Sequence, residues 1–169
     1  MQIPDGHYLF GTVKVGERGQ IVIPKDARQI FGVQVENDPW NAPWLSETLA
    51  SCVELMAYRQ REGDASYEKR FYDEIEIATR LTRPHGVVIG ASTEHFGSDG
   101  EMTQVLRDAG AANLMGIEQA VGQEAFIRAL QTYIAENAGG IGSLEALESA
   151  LERETGSDWS GYLADMLAS

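Results

Sequence analysis

The stretch KVGERGQIVIPKDARQIFGVQVENDPWNAPWLSETLA, from Lys14 to Ala50, joins two kinds of sequence. Its first part carries the turn residues Gly16-Glu17-Arg18-Gly19 between two β-prone runs, YLFGTVKV from Tyr8 and QIVIP ending at Pro24. That pattern predicts a hairpin. Lys25 to Phe31 then fits a short helix stopped by Gly32. After Gly32 the character changes. VQVENDPWNAP is a loop, and a boundary falls near residue 33, which gives two units, 1–33 and 34–169. Asn41 is a suitable cap with Pro43 in the first turn, and Leu45, Leu49, Cys52, Val53 and Met56 recur at helical spacing, so a partly buried helix is expected over 43–61.

Beyond this stretch the chain reads as helical. Gly63-Asp64 interrupts, and Tyr67, Phe71, Ile75 and Ala78 mark a second helix ending near Arg83-Pro84. His85 to Gly97 is a long Gly-rich loop. Ser98 is placed to cap a helix containing Val105, Ala109, Ala112 and Leu114, whose small residues suit close packing. Gly122 separates it from a helix with Phe126, Leu130, Tyr133 and Ile134. Ser143 opens another with Leu144, Leu147 and Leu151, and Trp159, Leu163 and Leu167 define a last short one. The fold expected is α-rich α+β, a hairpin and short helix followed by a helical body.

Composition narrows the function. The net charge is −13 over 169 residues, yet residues 1–33 hold four Lys/Arg against three acids, which leaves −14 for the rest. Any contact with nucleic acid must therefore come from the first unit. No apolar run approaches the ~20 residues that span a bilayer. MQIPDGHYLF lacks the basic start and apolar stretch of a signal peptide, and the single Cys52 forms no internal disulfide framework, so a cytoplasmic chain with no membrane partner is the expectation.

GTVKVGERGQIVIPKDARQIFGV, within residues 8–33, resembles the SpoVT-AbrB swapped-hairpin family of bacterial regulators and antitoxins. The resemblance implies an interlaced homodimer that presents basic residues to DNA, and by position Lys14, Arg18, Lys25 and Arg28 are the DNA-binding candidates. Contacts of this kind neutralise phosphates rather than read bases. After FGV, however, the family continues with a turn and two further strands, where this chain has QVENDPWNAPW.

From about residue 28 to the C-terminus the chain looks like the helical part of the alanyl-aminopeptidase family of gluzincin metallopeptidases, which have a thermolysin-like catalytic domain. The motif of that family is HExxH, eighteen residues, then Glu. Here PWLSET places Glu47 at the third zinc-ligand position, DAGAANLMGIEQAVGQEAFIRALQTYIAEN resembles the segment after the family's transition-state tyrosine, and SLEALESALERETGSDWSGYLADML resembles the family's next helical segment. Nineteen residues before Glu47 stands Arg28, so Pro24-Lys25-Asp26-Ala27-Arg28 occupies the place of HExxH. Zinc needs two His one helical turn apart and a carboxylate base between them, and these residues supply neither. Leu106, Arg107 and Asp108 stand where the tyrosine would be.

Other residues do not rebuild such a centre. His7, His85 and His95 have no second His or Cys at metal spacing, Cys52 sits on an apolar helix face as a core thiol, and the loop after Arg83-Pro84-His85 lacks a phosphate-binding motif. Glu47 is then a vestigial ligand position and no cofactor is expected, zinc being implied only by the resemblance. The resemblance also implies that Trp40, Trp44 and Leu45 are buried between the helix at 25–31 and the helix at 43–61. It further implies that the family's strand layer is missing, which exposes apolar surface and favours self-association. Two functions are compatible with these readings. The first is a DNA-binding regulator segment fused to a catalytically incompetent peptidase-like body. The alternative is a zinc-aminopeptidase relative that serves as an inactive scaffold or peptide-binding module.

Overall fold

A computed structural model describes Tyr8, Leu9, Thr12, Val13, residues 34–76 and residues 86–169. Two strands of two residues, β1 (Tyr8–Leu9) and β2 (Thr12–Val13), pair antiparallel with Tyr8 opposite Val13. The helices are α1 (Trp44–Glu62), α2 (Asp64–Arg70) running on into a π-helical turn Phe71–Glu76, and α3 (Asp99–Met102). A π-helical segment Thr103–Ala109 carries α3 without a break into α4 (Gly110–Val121). Then come α5 (Gln123–Asn137), α6 (Leu144–Thr155) and α7 (Ser160–Leu167).

The α+β expectation is overturned, because the described residues are overwhelmingly helical. Tyr8 pairs with Val13 inside the run expected to be one arm of a hairpin, so that run does not extend as a single strand toward a turn at Gly16 to Gly19. β-prone composition makes a stable sheet only when further strands or a helix cover one face, and a two-residue pair is too short to be one by itself. The short helix expected over residues 25–31 lies outside the described residues.

Helix α1 forms as its spacing requires. Leu45, Leu49, Cys52, Val53 and Met56 are all buried on one face. Its start differs in detail, since Pro43 occupies the cap position and Asn41 does not cap. Asp38 closes the preceding turn instead, its carboxylate accepting the backbone N–H of Trp40 and of Asn41 at 3.0 Å and the Asn41 side-chain amide at 2.7 Å. The same bonds to Asn41 and Trp40 hold the Asp38 carboxyl below the usual range. Gly63, at φ +84, ends α1 and opens α2 in a backbone region that side chains disfavour. Ser98 and Ser143 cap α3 and α6 by accepting the N–H of Glu101 and Ala146, each at 3.2 Å. Glu101 also accepts the N–H of Gly97, one residue before the cap.

One contiguous core joins the helices of the body. The loop before α3 is sewn into it, with Gly90 N–H donating to the Leu167 carbonyl at 2.9 Å and Thr93 N–H to that of Trp40 at 2.8 Å. At the other end, Glu36 forms a parallel bridge with Ile141, which attaches the chain before α1 to the α5–α6 turn. Trp44 and Leu45 are buried as expected, but Trp40 is 69% exposed. Its backbone is fixed by the Asp38 turn and by Thr93, so its ring is carried outward on a rigid loop rather than folded into the core.

The tightest junction is between α1 and the start of α4. A Cβ at Gly110 would collide with Thr48 Oγ1 and stand 3.1 Å from its Cγ2. Thr48, fully buried, donates across the junction to the Leu106 carbonyl at 2.7 Å. Gly110→Ala should lower stability by about 1–3 kcal/mol through overpacking. Adding Thr48→Ala should recover part of that loss, a coupling that a double-mutant cycle in urea would measure. Additive losses would show that the contact is not what limits the approach. Trp44→Ala should cost about 3–5 kcal/mol, and Trp40→Ala should leave the unfolding midpoint nearly unchanged.

Candidate functional site

The polar face of α1 follows from spacing alone. Glu47, Ser51 and Glu54 lie at i, i+4 and i+7, so they form one stripe. Arg107, on the π-helical segment, lies across it. Its Nη2 is 2.8 Å from Glu54 Oε2, its Nε donates to Ser51 Oγ at 3.3 Å, and the same Nε is 3.9 Å from Glu47 Oε2. A guanidinium has a planar fork of donors long enough to bridge side chains two turns apart, which a lysine would not do in the same way. π-helical insertions recur at functional sites because they turn one residue out of the regular series. Here the insertion ends where Gly110 N–H bonds the Val105 carbonyl, and Arg107 sits within it.

Beside this cluster is a cleft of about 170 Å³ lined by Ser51, Glu54, Leu55, Arg70, Ile75, Thr103, Arg107 and Asp108. Leu55 and Ile75 are buried and contribute apolar surface. Desolvation pushes the Asp108 carboxyl above its usual range, with Arg107 pulling the other way.

A second group of charges lies deeper along α1. Glu118 of α4 is almost fully buried and meets Arg59 Nη1 at 3.2 Å, while Arg59 Nε is 2.5 Å from Asp64. The Arg59 guanidinium stands 5.2 Å from the centre of the Tyr67 ring. Burial raises Glu118, against the pull of Arg59, and burial again takes the Tyr67 hydroxyl up to about 12. Burial, with the Glu118 charge nearby, raises the fully buried Cys52 thiol, in keeping with a core thiol.

The expected site residues are only partly brought together. Glu47 is on α1 with its carboxylate directed toward Arg107. Lys14, Arg18, Lys25, Arg28, His7 and His85 lie outside the described residues. His95 is exposed, its Nδ1 2.7 Å from Ser92 Oγ. Of the three residues at the tyrosine's place, Leu106 is buried, Arg107 reaches the α1 stripe and Asp108 lines the cleft. Among the described residues no group of three His, Cys, Asp or Glu is arranged to hold a metal ion. The charged partner of Glu47 among the described residues is the Arg107 guanidinium, which supplies no metal ligand. The Arg107 bridge was not anticipated from sequence. The Glu47, Ser51, Glu54 spacing was the available signal, but nothing local identifies the partner 53 to 60 residues away.

Comparison with known proteins agrees with the helical architecture. A rice aminopeptidase M1-B is 30% identical over 135 residues. The likeness to M1 aminopeptidases lies in the helical body of this chain. Two crystal structures of an M1 zinc metallopeptidase from Deinococcus radiodurans share the fold. One, of the enzyme itself, is 25% identical with a TM-score of 0.65, and the other, of a variant bound to a Tyr-Ser-Ala substrate, is 24% identical with a TM-score of 0.66. Each match covers 83% of this chain. The rice match covers 77% of this chain. The chain spans 15% of the rice protein's length and 30% and 31% of the two solved chains. No protein-family profile matches the chain, and the SpoVT-AbrB resemblance gains no support from these comparisons. Among the described residues no helix is long and apolar enough to cross a membrane.

The buried Glu118 gives a signed pH test. Its folded-state pKa lies above the ordinary 4.5, so its contribution to stability is present below that value and is lost as pH rises through the raised one. Glu118→Gln removes the titration. The variant should therefore gain on the native chain as pH rises from 4 to 7, whatever the fixed offset from the altered Arg59 pair. Thermal midpoints of the two proteins across that range check it, and a variant-minus-native difference that stays constant or falls as pH rises would contradict it.

Proposed function

We propose that this chain is a non-hydrolytic relative of the M1 aminopeptidases, a scaffold or peptide-engaging domain that retains their helical body without their zinc chemistry. The observation that carries this reading is the guanidinium of Arg107 facing the Glu47 carboxylate. A cation held by Glu47 would be repelled by the Arg107 guanidinium beside it. The sequence supports the same reading, because Pro24 to Arg28 stand in place of HExxH and supply neither imidazole ligands nor a general base. The alternative of DNA contact through Lys14, Arg18, Lys25 and Arg28 has no specific observation in its favour among the described residues.

The test is chemical. Purified protein dialysed against dilute zinc should retain far less than one equivalent, and it should not cleave an aminoacyl-arylamide in any chelator-sensitive manner. Stoichiometric zinc, or hydrolysis abolished by a chelator and restored by zinc, would overturn the proposal.

A further inference from the structure

Three loops of the body are laced together by hydrogen bonds to their backbones. Glu36 N–H donates to the Gly140 carbonyl at 2.9 Å and Gly142 N–H to that of Glu36 at 2.7 Å, which joins the loop before α1 to the α5–α6 turn. Thr93 N–H donates to the Trp40 carbonyl at 2.8 Å and Thr93 Oγ1 to that of Pro39 at 2.6 Å, which joins the same loop to the one before α3. Each of the three carries an exposed apolar side chain: Trp40, Ile141 at 70% exposure, and Val88. Removing such surface from water is favourable, and because the backbones beneath are already held in place, covering them costs little ordering. Tryptophan is also among the side chains that most often anchor a protein contact.

The charge around these side chains is of one sign. Glu36, Asp38 and Glu94 are exposed on the loops, and residues 34–43, 86–98 and 138–143 contain no Lys or Arg. A second copy of this chain would bring the same carboxylates and a net charge of −13, and an anionic lipid surface would repel them as well. A polypeptide segment whose apolar residues are flanked by Lys or Arg matches both features, the apolar part giving affinity and the charges giving orientation and rate of encounter.

We propose that the loops carrying Trp40, Ile141 and Val88 dock a basic, apolar segment of a separate polypeptide, with its apolar side chains against Trp40 and its cations against Glu36, Asp38 and Glu94. The surface goes beyond the non-hydrolytic reading and does not depend on it, since Glu47 and Arg107 lie on none of the three loops.

Calorimetric titration with three peptides tests it: acetyl-Arg-Lys-Leu-Phe-Lys-Arg-amide, the same peptide with serine for its leucine and phenylalanine, and the same peptide with glutamate for its four basic residues. The first should bind saturably, and each of the other two at least about tenfold more weakly. Trp40→Ala should weaken the first peptide by a similar factor while leaving the unfolding midpoint in place, and raising the salt from about 0.05 to about 0.5 M should weaken it severalfold by screening. No saturable binding of the first peptide, equal binding of either control, or an unchanged affinity in Trp40→Ala would overturn the proposal. So would a Trp40-dependent self-association, or Trp40-dependent binding to phosphatidylcholine vesicles, in place of peptide binding. Zinc-dependent hydrolysis would count against the non-hydrolytic reading alone.

Discussion

The close approach of α1 to the start of α4 at Thr48 and Gly110 is the constraint on which the rest of the body depends. A glycine lets the two backbones meet, and a threonine hydroxyl gives the Leu106 carbonyl a donor from outside its own helix. Both are needed. Without the glycine the helices separate by the width of a methyl group, and without the hydroxyl a buried polar contact across the junction is lost. Because α1 is fixed here at its second turn, every later residue on its polar face has a set height relative to the π-helical segment. Ser51 and Glu54 therefore come level with Arg107, and further along Arg59 comes level with Glu118.

Two arginine-centred clusters thus hang on one helix pair, and they differ in kind. Arg107 lies at the rim, with carboxylates that keep much of their water, so its pairs hold geometry more than they add stability. Arg59 reaches a carboxylate that is almost wholly buried, where removing one partner leaves a costly charge behind. The first cluster therefore tolerates change. The second fixes the far half of α1 against α4.

The sequence made the helical body legible because its apolar period and its caps agree. Leu45 through Met56 gave α1 to within a residue at each end, and Ser98, Ser143, Gly63 and Gly122 marked boundaries found in the structure. It misled where propensity was taken for pairing. The run from Tyr8 is β-prone, yet its pairing folds back within itself, since nothing local specifies a distant strand. Trp40 was misplaced for a related reason. Size and hydrophobicity suggested burial, but the Asp38 turn decides where the ring points. The Arg107 bridge was out of reach because it is a tertiary contact between segments more than fifty residues apart.

Glu47 is where the resemblance and the observed geometry part. The resemblance puts a zinc-ligand carboxylate at this point, and the helix that carries Glu47 is buried on its apolar face and locked by Thr48 next to it. Packing therefore preserves the residue's place whether or not its chemistry survives. What changes is the partner. An arginine that reaches Glu47, Ser51 and Glu54 supplies positive charge to the same stripe through a covalently tethered group. Such a charge needs no histidines to hold it, so among the described residues the α1 carboxylates have a counter-charge that is part of the chain itself.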